Sequence, residues 1–588
     1  MIETAPSRKR LRKKVLSAAI LSCIVFSIAV SVILIRRQNS FGEIYFVDIA
    51  SASGVNFIPE DRAEGDFRLI EAMGSGVGLI DFDNDGRLDI IFGQGGRLPG
   101  DQQASGPSCR LFHNQGSDTY VDVTQRSEIT FDGFVQGFAA GDYDGDGHQD
   151  LFIAGFDRSA LYRNLGDGRF EETTDIAGVA GKGWASSCAF ADLNGNGYLD
   201  LYVVRYLADT ISPSGRPTVQ CPTNQPGTPS PYGYCPPVAH EPEADIIYRN
   251  NGDGTFTDIS ESSGIATARA PGLGLVIVDL DGDGKLDIYV ANDMKPNQLW
   301  RNLGDLRFEE VGMLSGVAVG ENGESRAGMG IAAGDYDGDG LIDLVVTNFQ
   351  DEPNDVYRQV TPGQFFVSTP DVGLTVPSLT VLGFGIGFLD TNNRGVLDLF
   401  VSNGHLNDYR VIGKPYEQKP QLFCNLAKPG HSKSGQVSFV DISSTCGNYF
   451  GELWLGRSAA LGDLNNDGLT DIVVTHLRRP PAILKNASQP KGRFLCLRLE
   501  SDTPSSSAIG SQVAVHASTG VFRRAVFGGG SYLSTSDPRV SIGLGDAVVI
   551  DHVEVTWPNG EKQVIENLDL DSFYRIRQGA NPVKLDPV

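Results

Sequence analysis

The sequence predicts an all-β protein, namely a seven-bladed β-propeller followed by a small antiparallel β domain, with one transmembrane helix at the amino terminus. Three observations lead to this prediction. An acidic nine-residue phrase recurs seven times, short apolar strands surround each copy, and a long uncharged apolar run follows the first residues. Units of about 50 residues with four short strands each cannot bury their own apolar faces, so they pack around a common centre.

The amino terminus predicts a membrane anchor. Residues 15–35 form an apolar run without charge, and about 20 such residues suffice to cross a bilayer. Basic residues are more frequent before the run than after it, which predicts a cytoplasmic amino terminus. A cleaved signal peptide is the alternative, but its apolar region is usually about 7–15 residues long and ends in small residues. We therefore expect a single-pass protein of the cell membrane, with the bulk of the chain periplasmic or extracellular.

The acidic phrases dominate the middle of the chain. Each has acidic or amide residues at positions one, three, five and nine and glycine at position six, apart from one degraded copy. Because β-branched apolar runs flank every copy, each is predicted to be the turn between two strands. Turns favour Asp, Asn and Gly in any case, but a turn alone does not need oxygen donors at alternating positions. The phrases begin at Asp81, Asp142, Asp192, Asp279, Asp335, Asp390 and Asp463.

Alternating oxygen donors in a tight loop predict calcium, a hard cation that takes six to eight oxygens at about 2.3–2.6 Å. An EF-hand is excluded because the twelfth position is apolar where that motif has Glu. We expect about six ions, one for each intact loop. Arg394 at position five of the sixth copy opposes a cation, so strong binding is not expected there. The predicted ligands, with position seven contributing its main-chain carbonyl, are Asp81, Asp83, Asp85, Arg87, Asp89, Asp142, Asp144, Asp146, His148, Asp150, Asp192, Asn194, Asn196, Tyr198, Asp200, Asp279, Asp281, Asp283, Lys285, Asp287, Asp335, Asp337, Asp339, Leu341, Asp343, Asp463, Asn465, Asp467, Leu469 and Asp471.

The two ends of the repeat region are expected to share one blade. The phrase FVDIASASGV from Phe46 matches the end of a unit, while the last unit stops near Asn486. Closing the ring in this way removes open sheet edges. Glycine-rich stretches such as GSGVG and GLGLV precede the acidic phrases. A nucleotide-binding loop is the alternative interpretation of these glycines, but such a loop needs a following helix. We therefore interpret the glycines as positions where the inner strands lie too close together for side chains.

The cysteines fit a compartment outside the cytoplasm. Cys221 and Cys235 bracket a proline-rich insertion between the third and fourth phrases, and a disulfide there would restrain it. Cys424 with Cys446 is a second, weaker pair, and the remaining cysteines beyond residue 38 are expected to be buried thiols. The insertion is our preferred recognition loop, and packing of the ring is its alternative role.

The last segment predicts a separate β domain. Alternating apolar residues at Val513 and Val515, and again at Val553 and Val555, indicate antiparallel strands with one buried face. The predicted division is a basic cytoplasmic tail (1–14), a transmembrane signal-anchor (15–35), a linker (36–45), the propeller (46–488) and the C-terminal domain (491–580).

These motifs resemble a known family. The repeats are similar to the FG-GAP repeats of integrin α-subunit propellers, and the phrases AIGSQV, GGGSYLSTSDPRVSIGLG and VEVTWPNGEKQ resemble the ASPIC/UnbV domain. Both occur together in the cartilage acidic protein family. The resemblance implies calcium at the acidic loops and ligands at the opposite face or the rim. It also implies that a cysteine-flanked insertion and the NGH phrase at His405 are family features.

Catalysis finds little support in the sequence. There is no nucleophile elbow, HExxH helix or Cys-His pattern. His405 is a weak catalytic candidate, and a histidine satisfied by hydrogen bonds of its own loop is the plainer interpretation. The net charge of −25 argues against nucleic acid, whose phosphates need a basic patch.

Two functions remain open at this point. The first is a membrane-anchored, non-catalytic binding or adhesion platform for an extracellular protein or glycan, with calcium as its cofactor. The alternative is an enzyme that acts on polysaccharide or another envelope polymer, since fold alone does not decide activity. The sequence favours the first of these.

Overall fold

The computed structural model describes residues 43–101, 106–223, 230–427, 437–489 and 491–586. Within these ranges the regular secondary structure is mainly β-strand, as predicted, and each helical segment has five residues or fewer. No helix in the described ranges is long and apolar enough to cross a bilayer. The predicted anchor at residues 15–35 and the tail before it lie outside the described residues.

Short strands rich in β-branched and aromatic residues make up the chain. In chain order they are β1 (Phe46–Asp48), β2 (Val77–Ile80), β3 (Asp89–Gly93), β4 (Cys109–Asn114), β5 (Tyr120–Asp122), β6 (Phe134–Gly141), β7 (Asp150–Phe156), β8 (Ala160–Asn164), β9 (Phe170–Glu172), β10 (Ala185–Ala191), β11 (Asp200–Arg205), β12 (Cys221–Pro222), β13 (Tyr232–Gly233), β14 (Ile246–Asn250), β15 (Phe256–Asp258), β16 (Gly272–Val278), β17 (Asp287–Asn292), β18 (Gln298–Asn302), β19 (Phe308–Glu310), β20 (Ile331–Gly334), β21 (Asp343–Val346), β22 (Asp355–Thr361), β23 (Gln364–Val367), β24 (Gly383–Leu389), β25 (Asp398–Asn403), β26 (Gln421–Asn425), β27 (Phe439–Asp441), β28 (Gly456–Gly462), β29 (Asp471–His476), β30 (Ala482–Asn486), β31 (Arg493–Glu500), β32 (Gln512–Ala517), β33 (Gly520–Ala525), β34 (Gly528–Gly529), β35 (Val540–Gly545), β36 (Ile550–Thr556), β37 (Lys562–Ile565), β38 (Ser572–Arg577) and β39 (Val583–Leu585).

The helical segments are single turns. Several follow a fourth strand and end at a left-handed glycine, such as Gly178 with φ 77°, a conformation that costs glycine little. The α-helical turns are Ala50–Ser53, Leu69–Met73, Thr174–Ala177, Ser260–Ser263, Gly312–Ser315 and Thr375–Leu379. The 3₁₀ turns are Pro237–Ala239, Ile265–Thr267, Arg410–Ile412, Ser443–Thr445 and Asn448–Gly451.

Seven antiparallel sheets that share the same order of four strands form the larger part of the described chain, and in one of them β34 pairs with β16 as a fifth strand. We number them in chain order: sheet 1 is β2–β5, sheet 2 is β6–β9, sheet 3 is β10, β11, β14 and β15, sheet 4 is β16–β19, sheet 5 is β20–β23, sheet 6 is β24–β27, and sheet 7 is β28–β30 with β1. In sheet 7, Phe46 of β1 pairs with Asn486 of β30. The prediction that the two ends of the repeat region share a sheet is therefore confirmed.

A set of buried amide side chains joins each sheet to the one before it. Asn164 at the end of β8 donates its Nδ2 to the carbonyl oxygen of Phe82 in the first acidic loop, at 2.7 Å. Asn114 closes the circle by donating to the carbonyl oxygen of Leu464 in the last acidic loop, at 2.8 Å. The sheets therefore follow one another around a closed, propeller-like ring. The remaining pairs are Asn250 with Tyr143, Asn302 with Leu193, Gln359 with Leu280, Asn425 with Tyr336 and Asn486 with Thr391.

The innermost strands are crowded, as the glycine-rich stretches predict. A Cβ added at Gly274 would lie 2.2 Å from the carbonyl oxygen of Met329, and one at Gly330 would lie 2.2 Å from that of Phe384. In both cases the two residues belong to the first strands of neighbouring sheets or to the residues just before those strands. A side chain at either position would therefore push the sheets apart.

The C-terminal domain is a sandwich of two four-stranded sheets, β35-β31-β38-β39 and β33-β32-β36-β37. Its core contains Val515, Ile542, Val553 and Trp557. The prediction of a purely antiparallel domain is wrong for one pair, because β31 and β38 run parallel with Leu495 opposite Ser572. The chain between these strands builds the whole second sheet, which is the long crossover that parallel pairing requires.

Candidate metal centres

All seven acidic phrases connect the first strand of a sheet to its second strand, as predicted. Neighbouring loops touch. Asn84 in the first loop donates to the carbonyl oxygen of Gly147 in the second at 3.0 Å, and Asn466 in the last loop donates to that of Gly86 in the first at 3.2 Å. The loops therefore lie on one face of the ring, which we call the loop face.

The main chain of each loop wraps around its first carboxylate. In the second loop, Oδ1 of Asp142 accepts hydrogen bonds from the amides of Gly145 and Asp146, at 2.8 and 3.0 Å, and Oδ2 accepts one from Gly147 at 2.9 Å. Gly145 and Gly147 have φ 77° and 88°. Glycine at these positions permits the tight turn without backbone strain.

The ninth-position carboxylate is buried and fixed by the main chain. Asp150 has 0% exposed surface, and its oxygens accept hydrogen bonds from the amides of Asn164 and Tyr143, at 2.8 and 3.0 Å. Burial raises the pKa of Asp150 to about 8, although these hydrogen bonds lower it, and the carboxylate of Asp144 raises it further. Burial likewise raises the pKa of Asp89 to about 9. A nearby positive ion would compensate such carboxylates.

Several loops bring carboxylate oxygens to one point. Oxygens of Asp81, Asp83 and Asp89 lie within 4.8 Å of one another, and the same holds for trios in the second and fourth loops. One oxygen each of Asp81 and Asp83 is buried without a hydrogen-bond partner in the described part of the chain. Such oxygens are costly to bury unless something compensates them. The donor set consists only of oxygens, so the residues fit a calcium ion.

Basic side chains from the third strand of a sheet reach several loops. Nε of Arg163 lies 2.6 Å from Asp144, and Nε of Arg358 lies 2.6 Å from Asp337. At the first loop the same strand position carries His113, whose Nε2 lies 3.1 Å from Asp83. Sequence reasoning missed these partners, although the recurring phrases LFHN, LYRN and VYRQ contain them.

The side chains at position seven differ between loops. Arg87 and Lys285 turn back and form ion pairs with the position-five carboxylates of their own loops, Asp85 and Asp283. The predicted metal role of these residues involves only their main-chain carbonyls, so their side chains are free to make these pairs. The pairs place a positive charge beside the carboxylates of both loops.

The sixth loop carries its own cation. The buried guanidinium of Arg394 forms an ion pair with Asp398, the ninth-position carboxylate, and donates to the carbonyl oxygen of Asn425 at 2.8 Å. Asp398 has 0% exposed surface. This ninth-position carboxylate therefore has a positive partner from its own loop, and weak calcium binding at the sixth loop stays a prediction.

The C-terminal sandwich sits on the loop face. Nη1 of Arg498 lies 3.3 Å from a carboxylate oxygen of Asp81, and Nη2 of Arg539 donates to the carbonyl oxygen of Asp463 at 2.6 Å. Between sandwich and ring lies a cavity of about 510 Å³, whose lining includes Asp81, Asp142 and Arg498. The predicted metal ligands of two loops thus face the C-terminal domain.

A segment of the C-terminal domain runs into the centre of the ring. We call residues 527–539 the axial segment. Ser531 exchanges main-chain hydrogen bonds with Ile331 of sheet 5, at 2.6 and 3.0 Å, and the carbonyl oxygen of Thr535 accepts from Leu79 of sheet 1 at 3.0 Å. Tyr532 is buried, and its hydroxyl donates to the carbonyl oxygen of Met73 at 3.2 Å. Sequence reasoning treated this domain as separate and missed the segment.

The opposite end of the channel is closed by apolar side chains that include Trp184, Tyr206, Phe384 and Tyr532. His405 lies beside this cluster and has 1% exposed surface. Its Nδ1 accepts a hydrogen bond from the amide of Asn407 at 3.0 Å. Burial lowers the pKa of His405 to about 4. These contacts match the plainer interpretation, in which hydrogen bonds of its own loop satisfy the imidazole.

The predicted disulfide joins Cys221 and Cys235, whose Cα atoms are 5.2 Å apart. At the described end of this insertion, Tyr234 packs edge-on against Phe67, with ring centroids 5.5 Å apart. The weaker candidate is wrong, since the other pair consists of free buried thiols, Cys424 and Cys446. The prediction of buried thiols is confirmed for Cys109, Cys188 and Cys496.

Comparisons with known proteins agree with this architecture. The family described as FG-GAP-like repeat matches residues 81–153, 142–203, 238–290, 279–346 and 335–401, and the family described as ASPIC and UnbV matches residues 501–583. Cartilage acidic protein 1 of Xenopus tropicalis is 25% identical over 303 residues, covering 49% of this chain and 42% of that protein. The human protein of the same name is 24% identical over 340 residues, covering 56% and 47%. The matched region spans less than half of the length of these relatives.

Among solved structures, an Agrocybe aegerita lectin described as recognising non-reducing terminal N-acetylglucosamine is similar with a TM-score of 0.36 and 17% identity. The similarity covers 68% of this chain and 85% of the lectin. A likeness this distant does not carry the ligand of the lectin over to the present chain.

Proposed function

Because this chain carries FG-GAP-like repeats and an ASPIC/UnbV domain and is distantly homologous to cartilage acidic protein 1, we propose that it is a seven-bladed, calcium-binding propeller. We propose further that it acts outside the cytoplasm, anchored through residues 15–35, as a non-catalytic binding or adhesion platform for a protein or glycan. The observation that carries the proposal is the convergence of carboxylate oxygens in the acidic loops.

Calcium would act here as a structural ion. The side chains at positions one, three, five and nine would hold it, and the ion would supply positive charge between carboxylates that otherwise repel one another. The buried, unpartnered oxygens of Asp81 and Asp83 support this assignment. The ninth-position carboxylate is also hydrogen-bonded to the third strand, as Asp150 is to Asn164. A calcium ion that orders a loop would therefore also stabilise the strands around that loop.

The platform would present the face opposite the acidic loops. The loop face is covered by the C-terminal domain through Arg498 and Arg539, and the axial segment runs into the middle of the ring. On the opposite face, Tyr232 of the disulfide-closed insertion and Val238, three residues after it, lie at the surface with 42% and 62% exposure. Long excursions on a rigid scaffold commonly carry recognition residues. This insertion is therefore the recognition loop that we propose.

The axial segment in the ring centre favours a binding protein over an enzyme. A polymer-cleaving enzyme of this shape would need carboxylates converging in an accessible cleft. In the described part of the chain, the axial segment and the apolar cluster around Tyr532 occupy the centre instead. The carboxylates that converge are those of the acidic loops, which lie under the sandwich.

A capture experiment tests the proposal. The full chain, immobilised from detergent, is exposed to an array of purified envelope and matrix polymers with calcium and again with chelator. The proposal predicts a ligand that is retained in calcium, released by chelator and lost with Tyr232→Ala. As a control, Asp167→Ala changes an exposed aspartate of an ordinary turn and should retain the ligand. A ligand bound equally well in chelator, or one cleaved during incubation, would overturn the proposal.

A further inference from the structure

A cluster unrelated to the acidic loops lies on the C-terminal sandwich. His516 in β32 and His552 in β36 are directly paired across the two strands. Their imidazole rings stack with centroids 4.1 Å apart and an interplanar angle of 13°. Glu554, two residues further along β36, lies on the same face of the sheet, because alternate residues of a strand point to the same side.

The three side chains direct donor atoms to one place. Nε2 of His552 lies 3.5 Å from one carboxylate oxygen of Glu554, and Nε2 of His516 lies 3.9 Å from the other. Candidate ligand atoms of all three residues fall within 4.8 Å of one another. A tetrahedral zinc ion with bonds of about 2.0–2.1 Å holds its ligand atoms about 3.3 Å apart. Only a small movement would bring these donors to that separation.

The sheet beneath holds the two histidines in register. Val515 and Val553, the neighbours that point inward, are fully buried in the sandwich core. The outward side chains remain accessible, with 28% exposure for His516, 31% for His552 and 49% for Glu554. The cluster is therefore both fixed by its strands and open to ions from solvent.

We propose that His516, His552 and Glu554 form a binding site for a divalent transition-metal ion of the zinc type, separate from the calcium loops. Two imidazole nitrogens and a carboxylate suit zinc, cobalt or nickel, whereas calcium prefers oxygen ligands alone. Three protein ligands leave at least one coordination position for water or for a donor from another molecule. The proposed metal site would therefore keep one coordination position at which water or another ligand can exchange.

Cobalt provides a direct test, because its visible absorption reports the ligand field. The full chain in detergent is first saturated with calcium, so that the acidic loops are filled, and then titrated with Co²⁺. We expect one Co²⁺ per chain with a four- or five-coordinate absorption band that Zn²⁺ removes. His516→Ala and His552→Ala should each weaken binding by at least about tenfold, and Glu554→Gln should weaken it less.

His240→Ala serves as the matched control, since His240 is a partly exposed histidine of the ring; it should leave the band unchanged. The melting temperature in calcium should be the same for all variants, because the altered side chains are accessible at the surface. Two results would overturn the proposal: no cobalt band in the unmodified chain, or a band that His516→Ala and His552→Ala leave intact.

Discussion

The guanidinium of Arg498 lies 3.3 Å from the carboxylate of Asp81, although the two residues are 417 positions apart in the chain. Asp81 opens the first acidic loop, and Arg498 belongs to β31 of the C-terminal sandwich. The contact joins the two domains at a carboxylate that we propose as a calcium ligand, through Oδ2, while Oδ1 is the oxygen without a hydrogen-bond partner in the described part of the chain. Calcium and the guanidinium would therefore compete for the same carboxylate.

Replacing Arg498 should strengthen calcium binding at the first loop. Arg498→Ala removes the competing charge, and since the pair is partly exposed, we expect a gain in affinity of about 1.5- to 5-fold. Calorimetric titration with calcium measures it. Arg493→Ala, which removes an exposed pair with Asp571 at 2.6 Å, is the control. A weaker first site in Arg498→Ala would contradict the competition.

Removing one inter-sheet amide should destabilise the ring. Asn250 donates to the carbonyl oxygens of Tyr143 and Leu199, at 2.8 and 3.0 Å, in a buried position. Asn250→Ala leaves both acceptors unpaired, which should lower the free energy of unfolding by about 2–4 kcal/mol. Its neighbour Asn251 is exposed, so Asn251→Ala should cost less than about 1 kcal/mol. Urea unfolding measures both, and equal effects would show that the bridging bonds are unimportant.

Displacing the axial segment should loosen the contact between ring and sandwich. A Cβ at Gly76 would lie 1.8 Å from the carbonyl oxygen of Leu533, so Gly76→Ala must push the segment out. We expect a loss of at least about 2 kcal/mol of stability and faster tryptic cleavage at Arg539. Gly451→Ala is the control, because nothing lies within 4 Å of its added Cβ. Unchanged cleavage in Gly76→Ala would mean that the segment is not held by the ring.

Acid should destabilise the protein through His476. Its Nδ1 donates to the carbonyl oxygen of Pro480 at 2.7 Å, and its Nε2 faces the hydroxyl of Tyr449 at 2.8 Å, which fixes the neutral tautomer. Burial lowers the pKa of His476 from 6.5 to about 4. Between these values the unfolded chain binds a proton that the folded chain does not, so stability falls as the pH drops from 6.5 towards 4.

The contribution of this single group is about 3 kcal/mol at most. In His476→Gln the loss of stability over this pH range should be smaller than in the unmodified chain, measured by urea unfolding at several pH values. His240→Gln, at a partly exposed position, should change the profile less. Parallel profiles for His476→Gln and the unmodified chain would contradict the assignment.

Features that depend on local pattern or on the repeat could be predicted from the sequence. The acidic phrases lie at strand turns because apolar runs flank them, and β1 pairs with β30 because Phe46 begins the missing end of a unit. The Cys221–Cys235 disulfide follows from two cysteines that bracket one insertion. In each case nearby residues or a repeated neighbour determine the contact.

Features that depend on contacts between distant segments were missed. The contact between Tyr532 and Met73 links residues 459 positions apart, and the phrase around Tyr532 has no strand or helix periodicity that would indicate a buried partner. The parallel pairing of β31 with β38 was not predicted for the same reason, because these strands are also far apart in the sequence. Arg163 and Arg358 look like solvated strand residues until the fold brings the acidic loops beside them.

The measurement that tests the central claim most directly is a calcium titration of the full chain after dialysis against chelator, combined with thermal melting. The account predicts about six ions per chain and a higher melting temperature in calcium, because ions that bind only the folded state stabilise it by RT ln(1 + [Ca]/Kd) at each independent site. The double substitution Asp335→Ala with Asp337→Ala should remove one ion and reduce the gain. No bound calcium, with the same melting temperature in calcium and in chelator, would contradict the account.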